Sequence, residues 1–127
     1  MKKISARLLS FVAASHEDPD TPGSLKKVLF NSSDFPHNVK LQMINWARID
    51  KGKSFVAHYH EDMDEVFIII SGKVRIIVND KVDILEKSDA VLVPMGAVHR
   101  MENIGSEVVE YIVIGVSRGL GGKTIIV

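Results

Sequence analysis

His58, His60, Glu65 and His99 are the residues of this chain best suited to chemistry. Three of them fall in one stretch, Gly52-Lys-Ser-Phe-Val-Ala-His58-Tyr-His60-Glu-Asp-Met-Asp-Glu65-Val-Phe-Ile-Ile-Ile-Ser-Gly72. Side chains at i and i+2 of a strand share a face, so His58 and His60 can present two imidazoles to one point. Convergent imidazole and carboxylate donors hold divalent metal ions. Glu61-Asp62-Met63-Asp64 can turn the chain as a hairpin and return Glu65 beside the two histidines. His99 follows Pro94-Met95-Gly96 and opens a later strand, which a barrel can bring alongside. A plainer reading is a pair of surface histidines beside a solvated acidic cluster, and spacing alone leaves both open. The other histidines, His16 and His37, fall in expected loops.

Strands must position these groups. The pattern predicts strands at Leu41–Ile49, Phe55–His60, Glu65–Ile70, Val74–Val78, Lys81–Leu85, Ala90–Val93, Val98–Asn103 and Val108–Val116. Asp50-Lys51-Gly52, Ser71-Gly72-Lys73, Asn79-Asp80 and Glu86-Lys87-Ser88 supply turns between them. Short strands at such spacing indicate an all-β sandwich or barrel. Upstream, Ile4–Ala14 reads as helix or strand, Ser15–Ser24 as a loop rich in proline and acidic residues, and Lys26–Phe30 as a short strand. Asn31–Asn38 breaks structure again. After the glycine-rich run Arg118–Lys123, Thr124–Val127 reads as a closing strand. One domain is expected over 1–127, with an N-terminal strand and loop extension at 1–38, a barrel at 39–116 and a tail at 117–127.

The chain has 127 residues, enough for a real core without staples. Sixteen Lys and Arg balance sixteen Asp and Glu, which argues against nucleic acid or an anionic membrane as partner. With no cysteine there is neither disulfide nor thiolate ligand, so a metal must use nitrogen and oxygen donors. Lys2, Lys3 and the run from Ile4 resemble a leader, but Arg7 interrupts the apolar stretch, and a cytoplasmic protein is expected. Val66–Ile70 and Val108–Val116 are apolar on both faces. Their outer face needs cover, either from the N-terminal residues or from a second copy in a homodimer.

Two motifs resemble those of the cupin superfamily. The first is carried by Gly52, His58, His60, Glu65 and Gly72, the second by Pro94, Gly96, His99 and Asn103. The second motif normally starts with a glycine six residues before its proline, where this chain has Ser88. The resemblance implies an antiparallel jelly-roll β-barrel with His58, His60, Glu65 and His99 as metal ligands. It also implies that Gly52, Gly72, Pro94 and Gly96 form turns, and Asn103 reads as a turn-stabilising residue.

Three histidines and a carboxylate suit a divalent transition metal, Fe, Mn, Ni, Cu or Zn, with room for water or substrate. Such a site serves a dioxygenase, decarboxylase or isomerase of a small oxygen-bearing molecule. The alternative is a module that binds a sugar or carboxylate without turnover. No acid–base partner is evident. Arg48 is the candidate for a substrate carboxylate, if the face it shares with Gln42, Ile44 and Trp46 points inward. If that face points outward, Arg48 is a surface cation and Trp46 belongs to an interface. Arg75 is expected to be exposed and Tyr59 to point away from the metal. Phe67, Ile69 and Met101 read as apolar wall.

Overall fold

The computed structural model describes residues 2–34, 40–117 and 122–127. The expected break around Pro36 and His37 and the first part of the glycine-rich run, 118–121, lie outside the described residues. Alternation of apolar and polar side chains produces eleven strands among the described residues: β1 (Val12–Ala13), β2 (Leu25–Asn31), β3 (Leu41–Ile49), β4 (His58–His60), β5 (Met63–Ser71), β6 (Lys73–Val78), β7 (Lys81–Glu86), β8 (Ala90–Val93), β9 (His99–Asn103), β10 (Val109–Ser117) and β11 (Thr124–Ile126).

They form two sheets, ordered β1-β2-β3-β10-β5-β8 and β11-β4-β9-β6-β7, with every pairing antiparallel. The inner faces enclose a core that includes Ile49, Phe67, Ile69, Val74, Ile76 and Met101. Each fully buried aliphatic side chain contributes about 1.5–3 kcal/mol relative to exposure. The all-β jelly-roll expectation is met. Among the described residues no helix is long and apolar enough to cross a membrane.

Three expectations change in detail. Ile4–Ala14 is neither one helix nor one strand. It holds a single 3₁₀ turn at Ala6–Leu8 and then β1, which adds to the six-stranded sheet through β2. The strand expected at Phe55–His60 is regular only over His58–His60. Before it, the chain is held by single bonds, Phe55 N–H to Met101 O at 3.2 Å and Asn103 N–H to Lys53 O at 2.9 Å. Finally, Glu61–Asp64 is not a hairpin turn. β4 lies in one sheet and β5 in the other, so the segment is a corner between sheets. Buried Asp62 anchors it by accepting bonds from Ser117 Oγ at 3.0 Å and Gly122 N–H at 2.9 Å.

The turn residues act through their backbones. Gly72 has φ +89°, and a Cβ there would fall 2.7 Å from Val109 Cγ2. Asn103 ties a neighbouring turn, donating to Ile49 O at 3.1 Å and Glu107 O at 2.7 Å while accepting from Gly105 N–H at 3.0 Å.

Candidate metal centre

The corner that carries Asp62 delivers Glu65 to the inner face of β5, opposite the sheet that holds the histidines. His58 opens β4 and His99 opens β9, and the two are direct cross-strand partners. His60 lies two residues on from His58, with the same inward parity. Tyr59 between them points away and pairs with Ile125. All four site residues are buried, and one donor atom from each lies within 4.8 Å of all the others.

The protein fixes the imidazoles. His58 Nδ1 is 2.7 Å from Val56 O, and His99 Nδ1 is 2.9 Å from Ala97 O. A carbonyl only accepts, so each ring carries its proton on Nδ1 and turns the Nε2 lone pair toward the cluster. His60 Nδ1 is 3.1 Å from Thr124 Oγ1, which fixes the third ring.

Glu65 Oε1 then sits 2.8 Å from His60 Nε2 and 3.0 Å from His99 Nε2. The His60 nitrogen is buried and has no hydrogen-bond partner among the described residues. With its proton on Nδ1, His99 Nε2 meets the carboxylate oxygen acceptor to acceptor, an arrangement that calls for a cation, a proton or a metal ion, between them. The donor set therefore fits a divalent metal ion, and the four residues can hold one.

Electrostatics agrees. Burial, and then the neighbouring His99, lower the His58 imidazole to about 4, so the ring is neutral and able to ligate near pH 7. Burial by itself raises the Glu65 carboxyl, but proton sharing with the His60 and His99 imidazoles lowers it to about 2, the effect of a proton in the place a metal ion would take.

A cavity of about 350 Å³ adjoins the cluster. His58, His60, Glu65 and Phe67 line it. Ile69 and Met101 belong instead to the packed core. The N-terminal segment forms one wall through Ala14, Ser15 and His16.

Arg48 is not brought to the site. On β3 the inward residues are Asn45, Ala47 and Ile49, so the parity of Trp46 and Arg48 points outward. The Arg48 guanidinium lies over the Phe11 ring, 4.4 Å from its centroid, and its Nε is 3.0 Å from Asp50 Oδ1. Arg75 is exposed and pairs with Glu102 at 3.0 Å.

Cavity residues that sequence reasoning missed include His16, Lys26, Asn45 and Tyr111. Strand parity was the available signal for Asn45, which alternates with the Trp46 face. Nothing local marked His16, since the loop that carries it reaches the site only through tertiary folding. Its ring stacks on His58, and its Nε2 is 3.4 Å from Glu17 Oε1. Burial, and then His58, lower the His16 imidazole to about 3.

Known proteins place this arrangement. The chain is 34% identical over 98 residues to the tetracenomycin polyketide synthase protein TcmJ of Streptomyces glaucescens, covering 77% of this chain and 62% of that one. It is 32% identical over 75 residues to a mannose-1-phosphate guanylyltransferase of Sinorhizobium fredii, over 59% of this chain but only 15% of that protein. Thus it spans a small part of the guanylyltransferase and somewhat under two thirds of TcmJ. Among solved structures, a protein of Thermotoga maritima described as a predicted oxalate decarboxylase superposes with TM-score 0.80. It is 20% identical, covering 91% of this chain and 99% of that one, a likeness of fold alone. The family model of the cupin domain matches residues 45–115, which include the whole ligand cluster, and the chain belongs to the cupin family.

Proposed function

We propose that this protein is a metal-dependent enzyme acting on a small oxygen-bearing molecule, by decarboxylation, oxygenation or isomerisation. The observation that carries this is the buried His60 Nε2, which has no hydrogen bond and lies among Glu65, His58 and His99 beside a cavity. His58, His60, Glu65 and His99 hold the ion, drawn from Fe, Mn, Ni, Cu or Zn. A bound divalent ion supplies Lewis-acid chemistry or a site for dioxygen. The chain's own residues do the rest. Val56 and Ala97 orient the rings through their carbonyls, while Phe55 and Phe67 make an apolar wall that excludes water from the cluster. The names of a similar solved structure and of TcmJ, a predicted oxalate decarboxylase and a polyketide synthase protein, agree with oxygen-bearing substrates.

A binding module without turnover is the second reading. It draws on His16, whose Nε2 contacts Glu17 and Ser24, which leaves that nitrogen engaged rather than free for proton transfer. A cytoplasmic setting and a homodimer complete the reading, supported by the lack of cysteine and by the apolar outer face of the larger sheet.

Elemental analysis of protein purified without added metal, followed by oxygen uptake and carbon dioxide release over a panel of catechols, hydroxy acids and keto acids, tests it. Stoichiometric metal and turnover that is lost in His58→Ala support the enzyme. Saturable binding without product supports the module, and an absence of metal affinity ends both metal-based readings.

A further inference from the structure

Among the polar groups that the six-stranded sheet turns toward the cavity, the metal cluster leaves Asn45 and Lys26 unexplained. Asn45 is 5% exposed, lines the cavity, and its Oδ1 has no hydrogen-bond partner. Buried acceptors left unpaired are costly, and native structures keep few without a reason. Lys26 is the second group. On β2 it pairs with Ala47, as Val28 pairs with Asn45, so Lys26 and Asn45 share the inward parity of adjacent strands. Lys26 lines the same cavity, with its ammonium on Ser15 Oγ, and no carboxylate pairs with it among the described residues.

Register places these groups relative to the cluster. Met43, Gly115 and Glu65 form one inner row across β3, β10 and β5. Val28, Asn45, Val113 and Phe67 form the next, and Lys26, Ala47, Tyr111 and Ile69 the one after. The wall therefore runs from ligand carboxylate, to unpaired amide oxygen, to ammonium, in successive rows about 7 Å apart. At the cluster end Gly115 makes room for the Met43 and Met63 side chains, because a Cβ there would fall 2.3 Å from Met43 Sδ and 2.5 Å from Met63 Sδ.

An ammonium without a carboxylate recognises an anion, and an unpaired carbonyl oxygen recognises a hydroxyl. We propose that the cavity binds a small hydroxycarboxylate, with its carboxylate at Lys26 and a hydroxyl donating to Asn45 Oδ1. Its identity as a substrate rests on the reading of the metal cluster as the reactive end. The volume of about 350 Å³ lies at the small end of ligand cavities, which limits the anion's size. Burial already lowers the Lys26 ammonium from its usual value, so a bound anion would relieve an existing penalty. Lys26 thus takes the role that the sequence assigned to Arg48.

The test is calorimetric titration of the full chain, with Zn(II) present, using glycerate, propionate, glycerol and glycerol 3-phosphate. Wild type, Lys26→Met and Asn45→Leu are compared, and Zn(II) affinity is measured separately on each. Glycerate should bind wild type at least tenfold more tightly than the other three probes. Lys26→Met should weaken glycerate tenfold or more and leave glycerol unchanged. Asn45→Leu should weaken glycerate, leave propionate unchanged and raise the melting temperature, because it removes an unmet acceptor. Tighter binding of glycerol 3-phosphate overturns the carboxylate assignment, and equal glycerate binding by wild type and Lys26→Met overturns the inference. If Zn(II) binds and no probe does, the inference falls while the metal reading stands. If glycerate binds through Lys26 without Zn(II) affinity, the metal reading falls and the carboxylate site stands.

Discussion

His16 lies flat on His58, with ring centroids 4.0 Å apart and planes 20° from parallel. The residue after it completes a clamp. Glu17 Oε1 accepts a hydrogen bond from Val56 N–H at 3.1 Å, and Val56 O is the partner of His58 Nδ1 at 2.7 Å. One loop carboxylate thus steadies the residue whose carbonyl orients a candidate metal-ligating ring. Partners of this kind typically govern 10–100-fold in metal affinity. Glu17→Ala should lower metal affinity by about that factor, read by competition with a chelator, while Glu17→Gln, which keeps the acceptor oxygen, should retain it. Wild-type affinity in Glu17→Ala would remove the clamp from the description.

The metal-free protein should lose stability in mild acid. The His58 imidazole is lowered to about 4 and that of His16 to about 3, against 6.5 for the unfolded chain. Below pH 6.5 the unfolded state binds more protons at these positions, so stability rises with pH there. This contribution is complete above pH 6.5 and is lost as pH falls toward 4. For His58 alone the loss by pH 5.0 is about 2 kcal/mol. Thermal unfolding at pH 7.5 and pH 5.0 checks it, and His58→Gln should reduce the difference while His16 keeps part of it. A higher midpoint at pH 5.0 contradicts the assignment.

Ser88 has φ +77° at the place where the second cupin motif has glycine. A Cβ in the left-handed region costs about 1 kcal/mol, and glycine adopts it freely. The Ser88 side chain is exposed, and its N–H donates to Ile69 O at 2.9 Å, a bond that glycine keeps. Ser88→Gly should therefore stabilise the protein by about 1 kcal/mol, raising the melting temperature by roughly 4 °C. A fall in melting temperature would show that the hydroxyl contributes more than the backbone strain costs.

Two apolar rows cross the outer face of the larger sheet. One runs Trp46, Ile112, Ile68, Ala90, and the other Ile44, Ile114, Val66, Leu92. Among the described residues, the N-terminal segment meets the β2–β3 margin, where Phe11 lies against Lys27 and Arg48. Sedimentation should find a wild-type dimer that Ile112→Lys converts to monomer, because an ammonium in the middle of the first row, beside Ile114 of the second, would be buried without a partner. A monomeric wild type ends the homodimer proposal.

Strand existence and the ligand cluster were legible because both follow from local rules. Alternation marked β3 and β5 through β10 to within two residues, and the i, i+2 spacing of His58 and His60 placed two imidazoles on one face. Family motifs then tied in Glu65 and His99, which spacing alone could not. The inward face of β3 was not legible. Trp46 and Arg48 alternate with Asn45 and Ala47, and either set satisfies the same periodicity until the opposing sheet is in place. The corner at Asp62 escaped for a related reason, since its bonds to Ser117 and Gly122 join residues distant in sequence.

What the amino-acid order determined by itself was an antiparallel β protein with nitrogen and oxygen donors in metal-ligand order. Tertiary structure alone decided that His16 and Lys26, from the N-terminal segment, complete the cavity, and that Arg48 turns its back on it. The physical reason is that periodicity specifies which side chains share a face, whereas burial against a second sheet selects which face is inside.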